Sequence, residues 1–246
     1  MNKKLLSAVF TILICFSINA GEKDKGKTVG MVLVEGNETV STFYICDHEV
    51  TQSEYKAVIG DNPSKFKGDK KPVERVSWYV AVEYCNALSI KEGLTPCYSK
   101  DSGENWTWNR SADGYRLPTE AEWEWAAKGG IKSKGYIYSG SDNIDSVAWY
   151  IDNSDSTTHP VKNKAPNELK LYDMTGNVWE WCWDWFADIP DNPGKDYAGS
   201  LSGDCRITRG GSWGDNAPFC PVSSRGYDYP FGKDNFNGFR VVRNVK

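Results

Sequence analysis

Arg209-Gly210-Gly211-Ser212-Trp213 and, at the end of the chain, Gly238-Phe239-Arg240-Val241-Val242-Arg243 are two stiff frames around a soft interior. Gly210 and Gly211 permit backbone torsions closed to other residues, and Trp213 supplies a large apolar anchor directly after them. Gly238 to Val242 reads as a short buried strand. The residues between mix Tyr, Phe, Asn, Asp, Ser and Gly with no period of 2 or of 3.6, so they form a displayed surface and not a core. Rigid aromatics beside short polar groups are the composition of antibody-like contact loops. An ordinary Gly-rich surface loop shares part of that composition.

The 246 residues are 39% hydrophobic, 13% aromatic and 25% charged, which fits one globular domain with a substantial core. The net charge of -4 becomes -6 once the first twenty residues, with Lys3 and Lys4, are set aside (27 basic against 33 acidic). Such a chain has no electrostatic pull on nucleic acid or an anionic membrane. Residues 1–20 read as an export signal, with an apolar run from Leu5 to Phe16 behind two lysines. Two processing routes are open: cleavage after Ala20, or lipidation of Cys15 as in a lipoprotein. Residues 21–27, GEKDKGK, form a solvated tether, and residues 28–246 form the domain. The expected location is the cell surface or outer membrane, and membrane contact is expected only through an anchor on Cys15. Six further cysteines allow fifteen pairings, with Cys85 and Cys97, which flank a predicted helix end, the favoured one.

A hairpin is expected from strands at 29–34 and 39–45, then a short helix through Val58 capped by Thr51. Trp78, Ala81, Val82, Cys85 and Leu88 fall at helical spacing on a second helix. Thr119 and Glu122 form a capping box for a third, closed by Gly129. The carboxylates Glu120, Glu122 and Glu124 raise an acid/base reading, but a cap and a helix start use them more simply. Residues 176–185 alternate strictly, with Trp179, Trp181, Trp183 and Trp185 on one strand face and Val178, Glu180, Cys182 and Asp184 on the other. Core packing explains these tryptophans more simply than sugar stacking. Few helices, short strands and long loops give an α+β domain.

Taken together, PVERVSW (72–78), YRLPTEAEWEWAAKGG (115–130), GNVWEW (176–181), RGGSW and GFRVV resemble the formylglycine-generating enzyme family. The resemblance implies a variant C-type lectin fold with small mixed sheets, two main helices and much irregular structure. It also implies where catalysis would sit. The copper-dependent oxidases of this family use two cysteines at the positions of residues 215 and 220, and here these are Asp215 and Cys220. The related sulfoxide synthases need a histidine triad, whereas this chain has only His48 and His159, both read as surface or loop residues.

The C-terminal frame further resembles the variable region of diversity-generating retroelement proteins, and the whole chain is similar to the Treponema variable proteins among them. In that group a reverse transcriptase rewrites codons within a fixed frame, here 209–243. Carried onto this chain, the diversified ligand-binding positions are Asp215, Asn216, Pro218, Phe219, Ser224, Gly226, Tyr227, Asp228, Tyr229, Phe231, Asp234, Asn235, Phe236 and Asn237. Ala217, Cys220 and Arg225 belong to the scaffold. The resemblance also implies a structural calcium on Asp173, the Gly176 and Val178 carbonyls and Glu180, although no cofactor is required. The expectation is a monomeric, non-enzymatic, exported receptor for a protein or glycan ligand. An oxidase and a carbohydrate-binding lectin of fixed specificity are the rivals.

Overall fold

The structure, a computed structural model, describes residues 30–103 and 105–245, so the export signal, Cys15 and the tether lie outside the described residues. β1 (Met31–Val34) and β2 (Phe43–Cys46) form the expected hairpin, antiparallel with Val32 opposite Ile45. α1 (Gln52–Ile59) starts in a full capping box: Glu54 donates its backbone N–H to Thr51 Oγ1 (3.3 Å) and accepts from the Thr51 N–H (2.8 Å). α2 (Trp78–Lys91), capped by Ser77, carries Trp78, Ala81, Val82, Cys85 and Leu88 into the core. The ribbon β3 (Tyr98–Lys100) and β4 (Trp106–Trp108) and the short β5 (Tyr115–Arg116) precede α3 (Glu120–Ala127), capped by Thr119 and Glu122 as the sequence predicts. Gly129 follows α3 with φ +93°, a torsion that suits glycine. In the loop-rich middle a single helical turn, α4 (Ile144–Val147), interrupts the irregular chain.

The remaining strands are β6 (Trp179–Trp185), β7 (Arg206–Arg209), β8 (Arg225–Asp228), β9 (Asn237–Gly238) and β10 (Val242–Asn244). They build two four-stranded sheets, ordered β1-β2-β10-β5 and β8-β7-β6-β9. β9 runs parallel to β6 and the other ladders are antiparallel, so the sheets are small and mixed as expected. Among the described residues no helix is long and apolar enough to cross a membrane.

Where the sequence predicted one strand over 238–242, the chain forms two, in different sheets. Phe239, Arg240 and Val241 between them are fully buried and tie the sheets together. Their backbone carbonyls serve the first half of the chain: Val50 donates to Phe239 (2.9 Å) and Cys46 to Val241 (2.9 Å). The reason for the break is Arg240. A buried guanidinium needs an anion, and Glu180 of β6 supplies it through two hydrogen bonds of 2.6 Å. Trp123 Nε1 donates to the same carboxylate (2.7 Å), while the Cys46 and Tyr172 carbonyls accept from Arg240 (3.1 and 2.9 Å).

Alternation on the central strands divides the core in two. Trp181 and Val241 join α1 and α2 in one cluster, and Cys182, Ile207 and Val242 join α3 in the other. Trp183 stacks on Tyr98 (4.8 Å between ring centroids, 10°) and packs near Trp78, so the tryptophan face packs against the core, with Trp181 fully buried and Trp179, Trp183 and Trp185 half-buried at its edge. Arg206 lies buried between Trp78 and Trp185, with ring centroids 3.7 and 3.4 Å away. Each carboxylate at the start of α3 is taken by an arginine: Glu120 by Arg225, Glu122 by Arg116 and Glu124 by Arg209.

Two expectations are corrected. Cys85 and Cys97 are free buried thiols, because Cys85 faces the core from α2 while the Cys97 Sγ–H donates to the Gly114 carbonyl (3.3 Å). Both histidines lie in loops, as one of the two expected alternatives has it, but His48 is buried rather than on the surface, with its ring between Asp47 and Glu54, and His159 is half-buried and stacks on Trp149 (3.8 Å, 11°).

Replacing Glu180 or Arg240 by Ala strands a buried charge, an effect of ~3–5 kcal/mol, and thermal unfolding should record a fall of roughly 6–20 °C. Asp184 gives a second expectation. Burial pushes its carboxyl up to about 7 even though it accepts the Glu120 N–H (2.9 Å), so the fold favours its protonated form. Its contribution to stability is therefore present below the unfolded value, about 4, and is lost as pH rises to about 7. Asp184→Asn should gain stability relative to the parent between about pH 4.5 and pH 7.5 in denaturant titrations.

Candidate functional site

Arg209, at the end of β7, is fully buried and its guanidinium grips the middle of the interior segment. It donates to the carbonyls of Val222 (2.9 Å), Ser223 (3.1 Å) and Ser224, and is neutralised by Glu124 at 2.5 Å. Gly211 has φ +79°, and a Cβ there would stand 2.7 Å from Cys220 Sγ, so torsion and space both demand glycine. Trp213 grips the far end of the segment: its Nε1–H donates to the Asn235 carbonyl (2.9 Å) and its ring stacks on Phe236 (4.7 Å, 15°). RGGSW thus holds the interior segment at its middle, residues 222–224, and near its far end, Asn235.

The segment offers two patches, one before residues 222–224 and one between them and Asn235. The first is a single 3-10 turn, Ala217–Phe219, with Asn216, Pro218 and Phe219 exposed. The second runs from β8 through a tight turn, with Tyr229 and Phe231 stacked (5.3 Å, 12°). Phe219, Tyr227, Tyr229 and Phe231 are 57%, 59%, 53% and 67% exposed, large values for aromatic side chains on an ordered frame. Asp234 fixes the return by accepting the N–H groups of Phe236 (2.9 Å) and Asn237 (3.0 Å).

Not every predicted position is displayed. Asp215 is half-buried and accepts from the Ser212 N–H (2.9 Å) and Trp179 Nε1 (2.8 Å). Asn237 is buried and donates to Asp228 (2.9 Å). A Cβ on Gly226 would meet Thr208 Oγ1 at 2.6 Å and Trp179 at 2.9 Å. Ser224 and Asn235 are half-buried and serve the clamps through their carbonyls. The displayed set is therefore Asn216, Pro218, Phe219, Tyr227, Tyr229, Phe231 and Phe236, with Asp228 and Asp234 half-buried among them. Sequence reasoning missed Phe186, exposed beside Tyr227 (4.3 Å between centroids) in the loop after β6. Its position directly after the tryptophan strand is the signal that could have marked it.

The residues that the resemblance assigns to calcium have other partners. Both Glu180 oxygens are held by Arg240, and Asp173 accepts the Lys162 N–H (2.7 Å). A guanidinium already neutralises the central carboxylate, so this arrangement does not fit a hard divalent cation. The family's copper position reads likewise. Burial and the nearby Asp215 push the Cys220 thiol up to about 12, which keeps it protonated, and its Sγ–H donates to the Asn216 carbonyl (3.7 Å).

Clamp and display separate under substitution. Gly211→Ala and Gly226→Ala should each destabilise by ~1–3 kcal/mol through strain or overpacking, whereas Asn216→Ala should stay within ~0.5 kcal/mol. Denaturant unfolding of the three variants checks this.

Known proteins share this architecture. The chain is similar to Treponema denticola variable protein 1, with 39% identity over 88% of this chain and 92% of that one, and a TM-score of 0.78. It is 42% identical to chaperone protein LppX of Paenibacillus barcinonensis over 257 residues, covering 87% of this chain and 89% of the relative. Identity to the formylglycine-generating enzyme of Streptomyces coelicolor is 34% over 150 residues, so the match spans about half of each protein (54% and 48%). A model of the sulfatase-modifying factor enzyme 1-like domain matches residues 15–245, and the chain belongs to that family.

Proposed function

We propose that this chain is a non-catalytic receptor, displayed at the cell surface through the export signal read in residues 1–20, whose C-terminal segment is diversified by a retroelement to vary what it binds. The observation that carries this reading is the exposure of Phe219, Tyr227, Tyr229 and Phe231 on a segment whose backbone is held at residues 222–224 by Arg209 and at Asn235 by Trp213. Aromatic rings give contact area with few torsions to freeze, and a frame fixed before binding lowers the ordering cost. The likeness to a variable protein over most of both chains supports it. So does the site of the family's oxidation chemistry, where Asp215 replaces one thiol and Cys220 is a buried, protonated one.

The occupant is a protein or glycan surface, met by the rings of Tyr227, Tyr229 and Phe231 with Asp228 and Asp234 as hydrogen-bonding groups. Deep sequencing of the 3′ end of the gene across a growing population tests the reading. Substitutions should concentrate at the displayed residues between Trp213 and Gly238 and leave Arg209, Gly211, Gly226 and Arg240 unchanged. A population uniform at those codons, or variation spread evenly over the frame, counts against a diversified receptor.

A further inference from the structure

Away from the displayed face, Cys46, Asp47 and His48 stand at the end of β2, with one ligand-type atom of each within 4.8 Å of the others. Their backbone is pinned from several sides. The Cys46 carbonyl accepts from Arg240 (3.1 Å), the Asp47 N–H donates to Gly30 (2.9 Å), and the Asp47 carbonyl accepts from Tyr172 (2.8 Å). Cys46 and His48 are buried, whereas Asp47 is half-buried and opens the cluster toward solvent.

His48 Nδ1 faces two groups at once, Cys46 Sγ at 3.6 Å and Asp47 Oδ1. A ring nitrogen carries at most one hydrogen, so it cannot serve both as a donor along one bond. On the other side of the ring, Nε2 faces Glu54 Oε1 (3.2 Å), and Glu54 is itself held by the Thr51 N–H (2.8 Å) and Oγ1 (2.7 Å). If Nε2–H donates to Glu54, the Nδ1 lone pair points at the space between sulfur and carboxylate. A carboxylate behind a ligating imidazole is the usual outer partner in zinc sites.

We propose that Cys46, His48 Nδ1 and Asp47 form a zinc-type metal site, with Glu54 as the positioning residue. The sulfur–nitrogen spacing agrees, since tetrahedral Zn²⁺ at ~2.3 Å from sulfur and ~2.05 Å from nitrogen sets the two about 3.6 Å apart, whereas Asp47 Oδ1, in direct contact with Nδ1, must draw back to admit the ion. Sulfur, imidazole and carboxylate together form a borderline donor set that suits this ion rather than calcium or magnesium. Two anionic ligands balance the ion's charge. Arg240 is occupied by Glu180, while Lys162 stands 2.7 Å from both Asp47 oxygens and so competes with the ion for that carboxylate. Binding exchanges the thiol proton, and any proton on His48, for the metal, so uptake releases acid. The site is independent of the receptor reading. The competing occupant of the same point is a proton, which would make His48 an imidazolium between Asp47 and Glu54.

Cobalt(II), a spectroscopic substitute for Zn²⁺, distinguishes the two in the folded, metal-free protein near neutral pH. A thiolate-to-cobalt charge-transfer band should rise to one equivalent and be displaced by Zn²⁺. Cys46→Ser should abolish the band, His48→Gln should abolish binding or weaken it beyond a hundredfold, and Glu54→Gln should weaken it ~10–100-fold. Cys205→Ser, at a half-buried thiol away from the cluster, should leave it unchanged. No band in the parent protein, or a band that survives Cys46→Ser or His48→Gln, overturns the proposal. Should Cys46→Ser fail to fold, His48→Gln and Asp47→Asn decide it by the same band.

Discussion

One buried ion pair, Arg240 with Glu180, holds the molecule together. Glu180 lies on β6, the central strand of the second sheet, and Arg240 on the short segment that leaves that sheet for the first. The pair's remaining hydrogen bonds reach Trp123 on α3, the Cys46 carbonyl on β2 and the Tyr172 carbonyl in the loop-rich middle. Each group would be costly if left alone, and here every strong donor and acceptor meets a partner. Two sheets, a helix and a long loop therefore share one constraint. With so little regular structure, a network of this kind supplies the orientation that longer helices would otherwise fix.

The same logic, one layer outward, builds the display. Glu120 and Glu124, one turn apart on α3, hold Arg225 and Arg209, and Arg209 passes the constraint on to the carbonyls of residues 222–224. Trp213 does so for Asn235. The segment between is fixed through its backbone and through carbonyls, not through the identity of its exposed side chains. That division lets a surface change chemistry without disturbing its support. It also explains why charged residues are so numerous inside a domain whose displayed face is aromatic.

Much of this is legible in the sequence where the cause is local. The capping boxes at Thr51 and Thr119, the alternation through Trp179–Trp185 and the paired glycines of RGGSW each state their geometry within a few residues. Partnerships across the chain are not legible in that way. Nothing near Arg240 announces Glu180, sixty positions earlier, so GFRVV reads as one strand. Cys85 and Cys97 read as a pair because sequence spacing carries no direction for the thiols. Gly226 and Asn237 sit among displayed residues by composition, yet Trp179 and Asp228 claim them in space. His48, short of a helix and beside a charged residue, gives no local sign of burial.

The separation of frame from surface has a direct thermodynamic measure. A variant carrying Asn216, Phe219, Tyr227, Tyr229 and Phe231 all changed to Ser should unfold within about 4 °C of the parent, because exposed side chains contribute little to stability. A fall of about 10 °C or more would place those rings in the core and contradict a surface that is free to vary.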